Sequence, residues 1–331
     1  MLRIEDVTAR YSTLTGPVTA VRSTTFDILD NEIFGVAGES GCGKSTLLKV
    51  MYDLVQFPLE LAQGRVVLDS PAQNGRPGNR YESGSIAKAW WKDMSYIPQA
   101  AMSVLNPVYR VDEQFYEIIR RHQGGHKKEH SRDLLASYLS ELSLPVDILD
   151  SYPHQLSGGM RQRVVIAMAT FLKPGMILAD EPTTALDVVV QRSILMMLME
   201  LQQRMGNTFV IVSHDLGVHY QVTGRLGIMY AGTMVELGPT SQLFDEPLHP
   251  YTQMLIGALP KVGDHRPKEG IPGAPPSLRQ PIVGCSFEPR CPQRMAICKT
   301  LEPAFVQVRP GRSCACHLVP AMKSQPVEEA R

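Results

Sequence analysis

The run Gly38-Glu39-Ser40-Gly41-Cys42-Gly43-Lys44-Ser45-Thr46 follows an apolar pentapeptide, Ile33 to Ala37, and precedes a helically spaced apolar set, Leu47, Leu48, Val50 and Met51. A strand, a glycine-rich turn ending in Gly-Lys-Ser and a helix make up the phosphate-binding loop pattern in the context it requires. Glycines let successive backbone N–H groups face one anion without Cβ clashes, and the helix start adds positive potential. Lys44 would meet the terminal phosphates as a point charge, and the Ser45 hydroxyl would bind Mg²⁺. A turn that merely opens a helix would explain the glycines but not the Gly-Lys-Ser ending. Cys42 reads as a small tolerated residue, not a nucleophile.

A second apolar strand, Met176 to Ala179, ends in two carboxylates, Asp180 and Glu181. Its continuous apolar run marks it as buried on both faces, and ligands of α/β sheets sit at such carboxyl ends. Asp180 could hold Mg²⁺, and Glu181 could take a proton from a water attacking a γ-phosphate. Alone, the pair could equally be a helix cap or surface charge. Together with the loop at 38–46 it makes a nucleotide hydrolysis site.

Further β-rich segments at Leu2–Val7, Thr24–Leu29, Arg65–Leu68, Thr208–Val212 and Leu226–Tyr230 alternate with helical patterns, which predicts an α/β body over residues 1–238. Between about 100 and 158 strand signals stop and helices are predicted at Val111–Arg121 and Ser131–Leu142, a helical insertion. Residues 70–84 read as a loop excursion. The last part differs in kind: 15 of the 25 prolines and five of the six cysteines lie from Pro239 onward.

With 33 Lys plus Arg against 33 Asp plus Glu the formal charge is zero, so no global attraction to nucleic acid or anionic lipid is expected. A hydrophobic content of 44% lets the 331 residues bury a core, whereas the longest apolar stretches, such as Val164–Ala169, are far shorter than the roughly 18 residues of a membrane span. Arg3, Glu5, Asp6 and Arg10 interrupt the N-terminus, so no signal peptide is expected and the cysteines are placed in a reducing cytoplasm.

Leu156-Ser157-Gly158-Gly159-Met160-Arg161-Gln162-Arg163 resembles the signature motif of ABC transporter ATPases. Ser157 can cap the following helix, and the two glycines leave N–H groups open to a second phosphate contact. The resemblance implies a P-loop ABC ATPase with a RecA-like sheet core, an antiparallel β subdomain, an inserted helical subdomain and a Cys/Pro-rich C-terminal extension. It implies that ATP and Mg²⁺ bind along Gly38, Ser40, Gly41, Cys42, Gly43, Lys44, Ser45 and Thr46, with Tyr11 stacking on adenine. Gln99 and Asp180 would contact Mg²⁺, Gln99 also the attacking water, and His214 the γ-phosphate and Glu181. Thr184-Ala185-Leu186-Asp187 is similar to the loop that crosses to a second cassette, whose signature residues Ser157, Gly158 and Gly159 would cover the first cassette's ATP.

The segments Gly238–Phe244 and His249–Leu255, with Cys285-x5-Cys291-x6-Cys298-x17-Cys316, resemble the C-terminal extension of dipeptide and oligopeptide importer subunits. That resemblance implies a [4Fe–4S] cluster on these cysteines. A structural Zn²⁺ or free thiols are the alternatives, and Cys314 competes with Cys316 as the fourth ligand. The implied partners are a second, homologous ATPase subunit, two permeases and an extracytoplasmic solute-binding protein, with no nucleic acid, at the cytoplasmic face of the cell membrane. The Ser70–Asp93 segment, with Trp90 and Trp91, and the run Ala100–Pro107 depart from the peptide-importer pattern. Oligosaccharides therefore remain an alternative cargo, and a soluble ATPase acting on nucleic acid or ribosomes is the alternative of another class.

Overall fold

The computed structural model describes residues 1–72, 78–99, 103–124, 128–259 and 270–321. Asn74, Gly75 and Pro77 of the expected loop, and Ala100 to Met102 after Gln99, lie outside the described residues. Strands β1 (Leu2–Tyr11), β2 (Val18–Ile28), β4 (Leu59–Ser70) and β5 (Asn79–Glu82) form an antiparallel sheet in the order β2-β1-β4-β5, with β3 (Ile33–Ala37) passing to a second sheet. That sheet runs β11-β12-β10-β9-β3-β8-β7-β6, from β6 (Met94–Ile97), β7 (Met176–Asp180), β8 (Thr208–Val212), β9 (Arg225–Tyr230), β10 (Thr233–Pro239), β11 (Val306–Arg309) and β12 (Arg312–Cys314). Its β9-β3-β8-β7-β6 part is parallel, and the β9-β10-β12-β11 side is antiparallel.

Every residue of β3, β7 and β8 is buried, as the continuous apolar runs predict for strands covered on both faces. Helix α1 (Lys44–Met51) lies between the two sheets: Leu47, Leu48 and Met51 share one core with Leu2, Ile4, Phe26 and Ile28 of the first sheet and Phe34 and Val36 of β3. On the other side, α2 (Val111–Ile119), α3 (Lys128–Glu141), α4 (Gly158–Thr170) and α5 (Val188–Met205) contribute Phe115, Leu139, Ile166 and Leu198 to one core with Ile177 and Ile211 of the sheet. Both helices expected inside the insertion are present. After Ile119 the backbone widens into a π-turn over 120–124.

β1 is longer than the expected Leu2–Val7 because its alternation changes phase. Leu2 and Ile4 are buried, then Val7 and Ala9, and the register shifts between them, where Asp6 takes φ 50°. The stretch expected as a loop at 70–84 holds β5, paired antiparallel with β4. Trp90 stacks on Tyr52 at 4.7 Å and donates to the Tyr52 carbonyl at 2.7 Å, so it serves local packing.

Beyond β10, α7 (Thr240–Asp245) and α8 (Pro250–Gly257) follow, the latter with Pro250 in its first turn and His249 Nδ1 accepting the Tyr251 N–H at 3.0 Å. Pro250 alone is compatible with a surface helix. Instead, Tyr251 and Thr252 are fully buried, with Tyr251 against Tyr230 and Phe287. β12 is held to β10 by a buried pair: Arg312 Nη2 donates to Glu236 Oε1 at 2.6 Å, and Glu236 also accepts the N–H groups of Leu248 and His249. Removing one member of such a pair costs about 3–5 kcal/mol, because the other charge stays buried. Among the described residues no helix is long and apolar enough to cross a membrane.

α6 (Leu216–Val222) carries His219, fully buried, with Nε2 donating to the Ser213 carbonyl at 3.2 Å. Burial pushes this imidazole down from 6.5 to about 4. Between those values the unfolded chain binds the proton and the folded chain does not, so stability is full above pH 6.5 and falls as pH drops toward 4. Thermal unfolding at steps from pH 7 to 4.5 is expected to show this decline, and His219→Gln to reduce it, the buried His249, also pushed down to about 4, supplying a similar share; an unchanged slope in the variant refutes the assignment.

Candidate active site

The site forms where the carboxyl ends of β3, β8, β7 and β6, adjacent in the sheet, meet the start of α1. Gly43 has φ 108°, and a Cβ there would sit 2.1 Å from the Ala20 carbonyl oxygen, so the loop's last turn is open only to glycine. Ser40 and Gly41 are exposed at its tip, while Gly38, Cys42, Lys44 and Thr46 are buried. Lys44 Nζ donates to the carbonyls of Gly38 and Glu39 at 2.7 and 3.0 Å, folding its charge back over the loop. Burial raises the Cys42 thiol despite the neighbouring Lys44, in keeping with a packing residue.

Ser45 Oγ donates to Asp180 Oδ1 at 2.9 Å, and Tyr96 Oη to Oδ2 at 3.2 Å. Burial pushes the Asp180 carboxyl up, against the pull of those two neutral hydroxyls. A buried carboxylate with only neutral donors facing a serine hydroxyl fits a divalent cation, which would supply the missing positive charge. Glu181 turns out of β7 with φ 49° and returns its N–H to the Val212 carbonyl at 2.8 Å. Its carboxylate collects His214 Nδ1 at 2.9 Å, Thr184 Oγ1 at 2.7 Å and Gln99 Nε2 at 3.4 Å. Burial would raise this carboxyl, but the donors at His214 and Thr184 outweigh it and hold it below the ordinary range. An ionised, hydrogen-bonded carboxylate beside a phosphate loop can orient or deprotonate water.

Tyr11, at the end of β1, reaches Thr46 Oγ1 with its hydroxyl at 3.2 Å and so joins the same mouth. Ser157, Gly158 and Gly159 do not join this network. Ser157 Oγ caps α4 by accepting the Met160 N–H at 3.3 Å, and Gly159 stands where a Cβ would meet Val190 Cγ1 of α5 at 2.6 Å. Asp187 caps α5 through the N–H groups of Val189 and Val190. Two contributors escaped the sequence reading, Tyr96 and the Thr184 hydroxyl. Tyr96 reaches Asp180 because β6 pairs in parallel with β7, opposite Leu178, a register that only the fold supplies.

In the C-terminal part, Cys285, Cys291, Cys298 and Cys316 line one narrow pocket with His249 and His317, and the Cys285 N–H bonds the Cys298 carbonyl at 2.8 Å. Cys314 is buried on β12, opposite Glu236, and does not line that pocket. Burial, with the other thiols nearby, pushes Cys285 up to about 11. Among the described residues no three His, Cys, Asp or Glu side chains stand close enough together to hold a single metal ion.

Residues 21–184 match the ABC transporter family, and residues 235–298 match the oligopeptide/dipeptide transporter C-terminal region. The dipeptide transport ATP-binding protein of Bacillus subtilis is 39% identical over 92% of this chain and 90% of its own length. The oligopeptide transport ATP-binding protein of Escherichia coli is 36% identical over 99% and 94% of the two chains. Among solved structures, a dimeric ATP-binding cassette in a post-hydrolysis state, bound to ADP and Pi, matches with TM-score 0.61 at 26% identity, over 72% of this chain and 99% of that one. Gly43→Ala is expected to weaken MgATP binding at least about a hundredfold and to lower the thermal midpoint by several degrees, because its Cβ meets the Ala20 carbonyl, by calorimetric titration and melting.

Proposed function

Because the chain belongs to the ABC transporter ATPase family, we propose that its phosphate loop and the Glu181 cluster are the ATP-hydrolysing half-site of a peptide importer. The observation that carries this reading is the convergence of Gln99, Thr184 and His214 on one ionised carboxylate, next to the carboxylate that faces Ser45. Gly38 to Thr46 bind the phosphates through backbone N–H groups, Lys44 adds charge, and Tyr11 flanks the base. Ser45, Asp180 and Gln99 hold Mg²⁺, which when bound neutralises charge on the β- and γ-phosphates. Glu181 accepts the proton of the attacking water, while His214 and Thr184 fix its carboxylate and keep it ionised. The residues divide into an ATPase body, 1–238, with a helical subdomain at about 100–158, and a C-terminal extension, 239–331.

The site is half of one. Ser157, Gly158 and Gly159 lie apart from their own phosphate loop, so the signature serves the loop of a second cassette, and the dimeric structural neighbour supports that arrangement. The second cassette is a homologous but different subunit, and the pair docks on two permeases at the cytoplasmic face of the membrane, with a solute-binding protein delivering cargo. Peptides are the cargo favoured by the C-terminal region match and by relatives named for dipeptide and oligopeptide transport. Glu181→Gln is expected to bind MgATP within about threefold of wild type, lose at least about a hundredfold in turnover and persist as an ATP-trapped dimer on size exclusion. Wild-type turnover in that variant overturns the role.

Cys285, Cys291, Cys298 and Cys316 are the ligands of a [4Fe–4S] cluster. The reading is supported by the common pocket that the four thiols line and by the number of thiolates that such a cluster takes. Anaerobically purified protein is expected to carry about four irons per chain and to lose them in Cys291→Ser. Metal analysis finding zinc instead, or neither metal, rejects the cluster.

A further inference from the structure

Glu39, the second residue of the phosphate loop, has all its polar groups engaged, and most of the partners come from far down the chain. Its carboxylate is clamped by Arg290, Nη1 to Oε2 at 2.7 Å and Nη2 to Oε1 at 2.8 Å. Its N–H donates to Tyr251 Oη at 3.0 Å, and its carbonyl accepts from Lys44 Nζ at 3.0 Å. Arg290 itself cannot swing. Its side chain is 4% exposed, Nε donates to the Pro272 carbonyl at 2.9 Å, Nη2 to the Ile271 carbonyl at 3.1 Å and Nη1 to Tyr230 Oη at 3.2 Å. A bidentate, buried, fully donated guanidinium is the strong kind of ion pair, unlike the exposed pairs elsewhere on this chain.

Arg290 sits in the short turn between Cys285 and Cys291, and Phe287 of that turn packs on Tyr251 and Tyr230. The same C-terminal part also holds the chain just after Tyr11. The Thr19 N–H donates to the Leu278 carbonyl at 3.1 Å, and Arg279 bonds Thr15, both in the stretch that follows Tyr11. The C-terminal part therefore contacts both the phosphate loop and the stretch that follows Tyr11.

We propose that Arg290, with Tyr251, is a positioning residue of the phosphate loop, and that the Cys285–Cys291 turn thereby sets the affinity for nucleotide. Arg290 touches no phosphate. It fixes Glu39, whose carbonyl in turn holds Lys44 over the loop. Linkage makes the effect mutual: nucleotide that tightens the loop must also tighten the cysteine turn.

The inference rests on residues 38–46 being the ATP cradle, and calorimetric titration of the full chain with MgADP separates the two. Arg290→Ala and Glu39→Gln are each expected to weaken MgADP about tenfold, and Arg290→Lys to recover part of the loss. Arg290→Ala/Glu39→Gln should lose no more than either single variant, as for two ends of one contact. In ATPase assays the loss should fall on KM, with kcat within about threefold. MgADP should slow backbone amide hydrogen exchange across residues 285–291 in wild type and leave it unchanged in Glu39→Gln. If Arg290→Ala does not fold, Glu39→Gln and Arg290→Lys decide. Wild-type affinity in both, additive losses in the double variant, or hydrogen exchange at 285–291 indifferent to MgADP overturns the proposal. Wild-type protein that fails to bind MgADP overturns the ATP-site reading with it.

Discussion

The arrangement depends on a backbone constraint: six residues, Gly38 to Gly43, must turn the chain from a strand buried on both faces into a helix buried between two sheets. β3 has no solvent-facing side and α1 is sandwiched, so neither can shift to relieve strain in the connection. The turn is accordingly built on positive φ at Gly38, Gly41 and Gly43. Lys44 donates to the carbonyls of Gly38 and Glu39, the Gly232 N–H donates to the Cys42 carbonyl and Tyr251 accepts the Glu39 N–H, so the loop's shape is held from several sides. The acidic ends of β7 and the His214 end of β8 arrive beside it through sheet order alone.

What the sequence made legible follows from where each element's constraint is written. β3, β7 and β8 are double-sided strands, and an unbroken apolar run states that locally. The glycines and Gly-Lys-Ser are likewise local, as are Ser157 before its helix and Pro250 in the first turn of another. The second half of β1 was hidden by a change of phase at Asp6. β10 was hidden by a tight Ala231-Gly232 turn, both residues at positive φ, with weaker turn chemistry than Asn-Gly. Tyr96 and Arg290 were illegible for a different reason. Each acts on a residue 84 or 251 positions away, and only the sheet register or the folded C-terminal part brings them there.

A division of labour between two carboxylates runs through the site. Asp180 is deep, 2% exposed, and faces hydroxyls, so it suits a cation. Glu181, one residue on, is turned by its backbone to the mouth and surrounded by donors, so it stays ionised and available to water. One peptide unit separates a cation site from a base, and the left-handed backbone at Glu181 keeps the two from competing.

The C-terminal strands have a further consequence for the sheet itself. β10 is antiparallel to β9 and, left bare on its other side, would present a row of unpaired N–H and C=O groups with apolar neighbours at Met234, Val235 and Leu237. β12 occupies that side, and β11 closes it with four residues whose outward positions are Gln307 and Arg309, the latter tied to Glu246. The border of the sheet is thus moved from a sticky strand to a short polar one. A chain cut after residue 239 would keep every residue of the phosphate loop and the Glu181 cluster, and it would also carry a template for edge-to-edge aggregation.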